Sequence, residues 1–176
     1  MRRRDFITTG AALLAARFAS PTAAFAQDAY PSGQIRLVVP YPPGGVVDVV
    51  GRGWGDRIKQ SLGGIYVDNI AGGGGTIGAA MIARAKADGH NLLFGETSCL
   101  IISPALMKNP PYDPTKDFTP VSMIATTSTS IVVHPSVPAK TLKEFLTYAR
   151  ENQAKLSYGS AGVGTVTHLA GELFKQ

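Results

Sequence analysis

A single cysteine, Cys99, stands in the 176 residues. No disulfide can therefore form within the chain, and the fold must rest on a packed core. Cys99 itself reads as a small buried hydrophobe rather than a reactive thiol. Histidine is nearly as scarce. His90, His134 and His168 lie far apart in the chain, and no His, Cys and carboxylate spacing of a metal site is present. Charge is sparse as well, at 16% of residues, and the formal excess of +5 sits largely at the N-terminus. Beyond residue 26 no run approaches the roughly 18 consecutive apolar residues that a membrane span needs.

What is present at the N-terminus is an export signal. Arg2, Arg3 and Arg4 form a basic region, an apolar stretch runs from Phe6 through Ala16, and Ala24-Phe25-Ala26 has the small-x-small form of a cleavage site. Arg3-Arg4-Asp5-Phe6-Ile7 also has the form of a twin-arginine motif. Residues 1–26 are thus expected to be removed on export to the periplasm. That removes four Arg and one Asp and leaves 150 residues at about +2, too weak a balance for nucleic-acid binding. Stable membrane insertion is not expected either.

The remaining chain alternates strand-like and helix-like segments, the pattern of an α/β fold with a parallel sheet. Ile35 to Val39 is a nearly continuous apolar strand, as expected when both faces are buried. Val46, Val50, Trp54, Ile58 and Leu62 then recur every four residues on a helix, although Gly51, Gly53 and Gly55 weaken it by about 1 kcal/mol each against Ala. Ile65 to Ile70 and Asn91 to Gly95 read as further strands. A helix is expected over Thr76 to Lys86, burying Ile77, Met81 and Ala85, and a short one over Ser98 to Met107. Val121 to Ala125, Ile131 to His134 and Leu156 to Tyr158 have the composition of three more strands. Thr141-Leu142-Lys143-Glu144 is a capping box opening a helix with Leu142, Phe145, Leu146 and Ala149 on its core face. The last helix presents Val166, Leu169, Ala170 and Leu173. Residues 27–127 are assigned to a first lobe and 128–176 to an incomplete second lobe. Because the last helix runs to Gln176 without a C-cap, the chain is expected to be a fragment.

Three places share one design, a strand followed by a glycine-rich turn and a helix N-terminus: Pro43 to Asp48, Gly72 to Thr76, and Ser160 to Thr165. Glycine lets the backbone approach a ligand closely, and each helix start offers unpaired N–H groups and the positive end of its dipole. In parallel sheets such turns gather at the carboxyl edge. No Lys or Arg occurs in 40–50, 71–83 or 159–171. An anion there would be held by amides and by the hydroxyls of Thr76, Ser160 and Thr165. One dipole contributes only about 0.3–1 kcal/mol when exposed, so useful affinity requires several turns to converge.

At these turns the sequence resembles the Bug-type receptors of tripartite tricarboxylate transport systems. The resemblance is carried by Ile35–Asp48 (IRLVVPYPPGGVVD), Val67–Gly78 (VDNIAGGGGTIG), Ala87–Leu93 (ADGHNLL), Tyr112–Val121 (YDPTKDFTPV) and Leu156–Phe174 (LSYGSAGVGTVTHLAGELF). It implies a periplasmic-binding-protein-like, two-lobed architecture, with the first lobe partly and the second about half represented here. It also implies capture of a small carboxylate for membrane transporter subunits, no cofactor, no catalysis, and a monomer when intact. The resemblance places Gly44, Gly45 and Asp48 in a first-lobe site and Gly74 and Thr76 in the second glycine loop. Ser160, Gly162, Gly164, Thr165 and His168 would come from the other lobe. Binding by a chain of this length is expected to be impaired.

Two other readings compete. Gly73-x-Gly75-x-x-Gly78 is a literal dinucleotide-binding fingerprint, with Glu96 near the position of a ribose-binding acid. Ser160 stands like a hydrolase nucleophile between a strand and a helix, but Tyr158 occupies the first glycine position of that motif.

Overall fold

The computed structural model describes residues 30–176; the expected signal peptide and the start at Gln27 lie outside them. The centre is a three-stranded parallel sheet in the order β2-β1-β3, with β1 Ile35–Val39, β2 Ile65–Asn69 and β3 Asn91–Leu93. Ile35 pairs with Ile65 and Val39 with Asn69 on one side, while Arg36 to Val38 pair with Asn91 to Leu93 on the other. The central strand is the most buried, with Ile35, Leu37, Val38 and Val39 sealed from solvent. Its continuous apolar run follows from that two-sided burial.

Helix α1, Val46–Leu62, packs across β1 and β2, and its glycines make the closest approach. A methyl group added at Gly51 would lie 3.2 Å from Val39 Cγ2 and 3.4 Å from the Phe94 ring, whereas Gly55 has room for one above Leu37 and Val67. Gly53 faces open space. The expected stripe flanks this contact: Val50, Trp54, Ile58 and Leu62 are half-buried and Val46 is exposed. The periodicity marks the correct side of α1, but the buried positions are Asp48, Gly51 and Gly55. Two substitutions therefore have opposite signs. Gly53→Ala should stabilise by about 1 kcal/mol through helix propensity. Gly51→Ala should destabilise by about 1 kcal/mol, because crowding against the fully buried Val39 outweighs the same gain. Urea midpoints of the two variants check this.

Helix α2, Thr76–Ala83, ends earlier than Lys86 and buries a different face from the one expected. Thr76, Gly78, Ala79 and Ala80 face inward, while Ile77 is exposed and Met81 and Ala85 are half-buried. Small residues win because α2 lies close to the end of β1: a methyl at Gly78 would be 2.9 Å from Pro40 Cβ and 2.8 Å from the Ile70 carbonyl oxygen. A π-helical turn, Ser98–Ile102, leads into the short α3, Ser103–Leu106. Ala79, Ala80, Cys99 and Tyr112 form a second core with Leu93, Leu100 and Phe118 packed around it. Cys99 is fully buried and its thiol is pushed up to about 12 by that burial, as an unreactive core residue requires.

The strands expected at Val121 to Ala125, Ile131 to His134 and Leu156 to Tyr158 do not form. These segments are irregular, and residues 121–134 are exposed throughout. Apolar, β-branched composition specifies which face a strand would bury but supplies no hydrogen-bonding neighbour, and none is found among the described residues. Helix α4, Leu142–Glu151, starts at the expected capping box. Thr141 Oγ1 accepts from the Glu144 amide at 3.2 Å, and Glu144 Oε2 accepts from the Lys140 amide at 2.7 Å. Helix α5 is Val166–Phe174. The expected core faces of α4 and α5 contain no fully buried residue; Phe145 stacks on Phe174 at 5.8 Å.

Candidate functional site

All three parallel strands end on one edge, which places the Tyr41–Gly45 turn after β1, the Gly72–Gly75 turn after β2, and Glu96 with Ser98 after β3 side by side. In the first turn, Asp48 is only 3% exposed, and its carboxylate is engaged by protein donors. Gly44 N–H donates to it at 2.8 Å, Arg52 Nε at 3.0 Å and Asn69 Nδ2 at 2.8 Å. The Arg52 hydrogen bond, followed by that from the Gly44 amide, holds the Asp48 carboxyl down at about 2. Asn69 also donates to the Tyr41 carbonyl at 3.0 Å. Asp48, Arg52 and Asn69 therefore fasten the first turn to the end of β2. Gly44 and Gly45 themselves are exposed, and no side chain caps α1.

The second turn is built from left-handed glycines. Gly72, Gly73, Gly74 and Gly75 all have positive φ, which side chains rarely adopt. Thr76 is buried, and its hydroxyl donates to the Gly73 carbonyl at 2.8 Å. Gly75 N–H and Ile77 N–H bond to the Gly72 carbonyl. The amides of Gly73 and Gly74 have no acceptor among the described residues.

Sequence reasoning missed the residues that join the turns. The Tyr41 hydroxyl donates to Glu96 Oε1 and lies 3.0 Å from the Gly74 carbonyl; burial and then Glu96 push its pKa upward. Glu96 also accepts from Ser98 N–H at 2.8 Å, Ser98 Oγ at 3.0 Å and Cys99 N–H at 3.3 Å. Ser98 Oγ in turn accepts from Val166 N–H at 3.1 Å, and Ser103 Oγ donates to the Gly164 carbonyl at 3.3 Å. Both serines are almost completely buried, at 3% and 4% exposed. The signal available in the sequence was modest: a polar Glu96-Thr97-Ser98 after a strand, and Ser103 inside an apolar helix.

The third turn is thus seated on the second. A methyl at Gly74 would be 3.0 Å from Ser103 Oγ, 3.3 Å from the Val163 carbonyl oxygen and 3.9 Å from Thr165 Cγ2. Within the third turn, buried Thr165 caps α5, accepting from His168 N–H at 3.3 Å and donating to the Gly162 carbonyl at 2.6 Å. His168 Nδ1 accepts from Gly164 N–H at 3.4 Å. Ser160 is exposed, with Oγ 3.4 Å from the Gly162 amide. The structure therefore brings Gly74, Gly164 and Thr165 to one place, with His168 and Gly162 bonded within the third turn and Thr76 bonded within the second. Ser160 lies at the margin, and Gly44, Gly45 and Asp48 sit on the adjacent turn. A surface depression of about 580 Å³ lies elsewhere, lined by Ile101, Pro104 and the 110–114 segment, and includes none of the glycine-turn residues.

The family described as the tripartite tricarboxylate transporter family receptor matches residues 50–176. The chain belongs to this family. It is 41% identical over 173 residues to a Pseudomonas sp. (strain P51) protein encoded in the tcbD-tcbE intergenic region, covering 98% of this chain and 50% of that one. It is 33% identical over 168 residues to Protein BugT of Bordetella pertussis, covering 94% and 51%. Among solved structures, Rhodopseudomonas palustris Rpa4515 with adipate matches at TM-score 0.80 and 33% identity over 83% of this chain and 49% of that one. MatC from the same organism with bound malate matches at 0.71 and 31%, over 83% and 50%. The chain spans about half the length of the curated relatives it matches. Its mixed α/β fold is that of periplasmic binding proteins, a partial form of their two-lobed architecture.

None of these similarities points to a dinucleotide-binding enzyme, and the fingerprint glycines have packing reasons. Gly75 lies under Tyr41 and Cys99, and Gly78 lies on Pro40. Both Glu96 oxygens are already held by the protein, leaving the acid poorly placed to bind a ribose. Among the described residues no group of His, Cys, Asp and Glu is placed to hold a metal ion, and no helix is long and apolar enough to cross a membrane.

Proposed function

We propose that this receptor chain binds a small carboxylate at the meeting of the second and third glycine turns, outside the cytoplasmic membrane, without reacting with it. As part of a two-lobed receptor it would deliver that ligand to membrane transporter subunits. The observation that carries the reading is the seating of Gly164 and Thr165 against Gly74, beside the amides of Gly73 and Gly74, which have no acceptor among the described residues. The donors there are amides and hydroxyls. The nearby guanidinium, Arg52, is engaged by Asp48 and Asn69, and no Lys or Arg occurs within the three turns themselves. The adipate and malate in the two Rhodopseudomonas structures support a dicarboxylate as the ligand class. In this role Asp48 shapes the first turn, and a ligand carboxylate stays clear of its charge.

Because the third turn rests directly on the second, a ligand must lift it, and this offsets part of the binding energy. Affinity of the 27–176 chain should then be weak, about 0.1–1 mM, or roughly −4 to −5.5 kcal/mol. Adipate at about ten times its Kd should raise the melting temperature by a few degrees, corresponding to about 1.4 kcal/mol. Adipamide at equal concentration and matched ionic strength should not. A flat response to adipate, malate and a wider set of mono-, di- and tricarboxylates would overturn the assignment, as would an equal response to adipamide.

A further inference from the structure

We infer that Ser103 is a ligand-binding residue of this receptor, donating its hydroxyl hydrogen bond to one oxygen of the bound carboxylate. The inference rests on the carboxylate reading and names a donor outside the glycine turns themselves.

Ser103 sits where the π-helical turn passes into α3, with its amide bonded to the Ser98 carbonyl and Pro104 immediately after it. Its backbone is therefore fixed, and its side chain is nearly sealed at 4% exposure. The hydroxyl oxygen is 3.0 Å from the point where a Gly74 Cβ would stand and 3.3 Å from the equivalent point at Gly164. It lies between the two turns. Its acceptor is a neutral carbonyl, Gly164 O, at 3.3 Å, long for a hydroxyl donor. A carboxylate oxygen is a stronger acceptor, since charge-assisted hydrogen bonds are shorter and about twice as strong as neutral ones. The Gly164 carbonyl thus fills the place of a ligand oxygen. Capture exchanges one acceptor for the other while the third turn rises.

Ser98 differs. Its hydroxyl donates to Glu96 and accepts from Val166 N–H, so both its capacities serve to hold α5 on the sheet domain. It is a positioning residue and provides the control.

The two roles predict opposite signs in ligand titrations. If Ser103 only fastened the third turn, Ser103→Ala would ease its lifting, and adipate would bind as well or more tightly. If Ser103 holds the ligand, Ser103→Ala raises the Kd for adipate about tenfold or more, with little change in the melting temperature without ligand. Ser98→Ala should lower that melting temperature while the Kd stays equal or falls. Adipate titration of the 27–176 chain and both variants gives these values. If Ser103→Ala does not fold, Ser103→Cys, of similar size with a weak donor, should show the same loss. An unchanged or lower Kd in the Ser103 variant overturns the inference and leaves the carboxylate reading intact. Failure of the unsubstituted chain to bind adipate, malate or any other carboxylate removes both.

Discussion

Gly75→Ala should destabilise the chain by about 3 kcal/mol, read as a drop in the urea midpoint. The expectation combines two independent costs. Gly75 has φ +91°, where a side chain costs roughly 1–2 kcal/mol. The added methyl would also lie 2.8 Å from Cys99 Cβ and 2.9 Å from the Tyr41 hydroxyl, both in well-packed surroundings, and overpacking adds about 1–3 kcal/mol. The same change should also weaken carboxylate binding, because it pushes Tyr41 away from the Gly74 carbonyl. An unaltered midpoint would show that the second turn is looser than its contacts imply.

Asp48→Asn should cost on the order of 1–2 kcal/mol at neutral pH, and the loss should vanish in acid. The carboxyl of Asp48 is held at about 2, chiefly by Arg52 and the Gly44 amide, against an ordinary value near 4. A group whose folded pKa is depressed stabilises the folded state above its unfolded pKa. That contribution fades as the pH falls from about 4 to 2. Unfolding free energies of the two proteins should therefore differ at pH 7 and converge toward pH 2. Parallel curves across that range would mean that the Asp48–Arg52–Asn69 network does not depend on the charge.

Both effects concern residues whose type was conspicuous in the sequence but whose reason was not. The central strand, α1, the α4 capping box and the α/β alternation were legible because each is a local pattern: an apolar run, a four-residue repeat, a cap. The glycine turns were legible as turns. What periodicity could not supply was distance. Gly51 looked like a defect in a helix until Val39 was placed against it, and α2 turned its small residues inward because Pro40 and Ile70 leave no room for larger ones. The segments 121–125 and 131–134 carried strand composition without a partner, and composition does not supply one. The second and third turns of the proposed site were legible as turns, whereas Ser98, Ser103, Tyr41 and Glu96 join them across more than 50 residues of sequence in several contacts, a relation no local pattern contains.

Amide-resolved NMR addresses the grip itself. Titrating adipate into ¹⁵N-labelled 27–176 chain should move the Gly73, Gly74 and Gly164 amide signals saturably, with the Gly73 and Gly74 protons shifting downfield as they gain an acceptor. Saturable shifts confined to residues such as Arg52 or Lys143, with the glycine amides still, would contradict the account by showing that cations hold the acid.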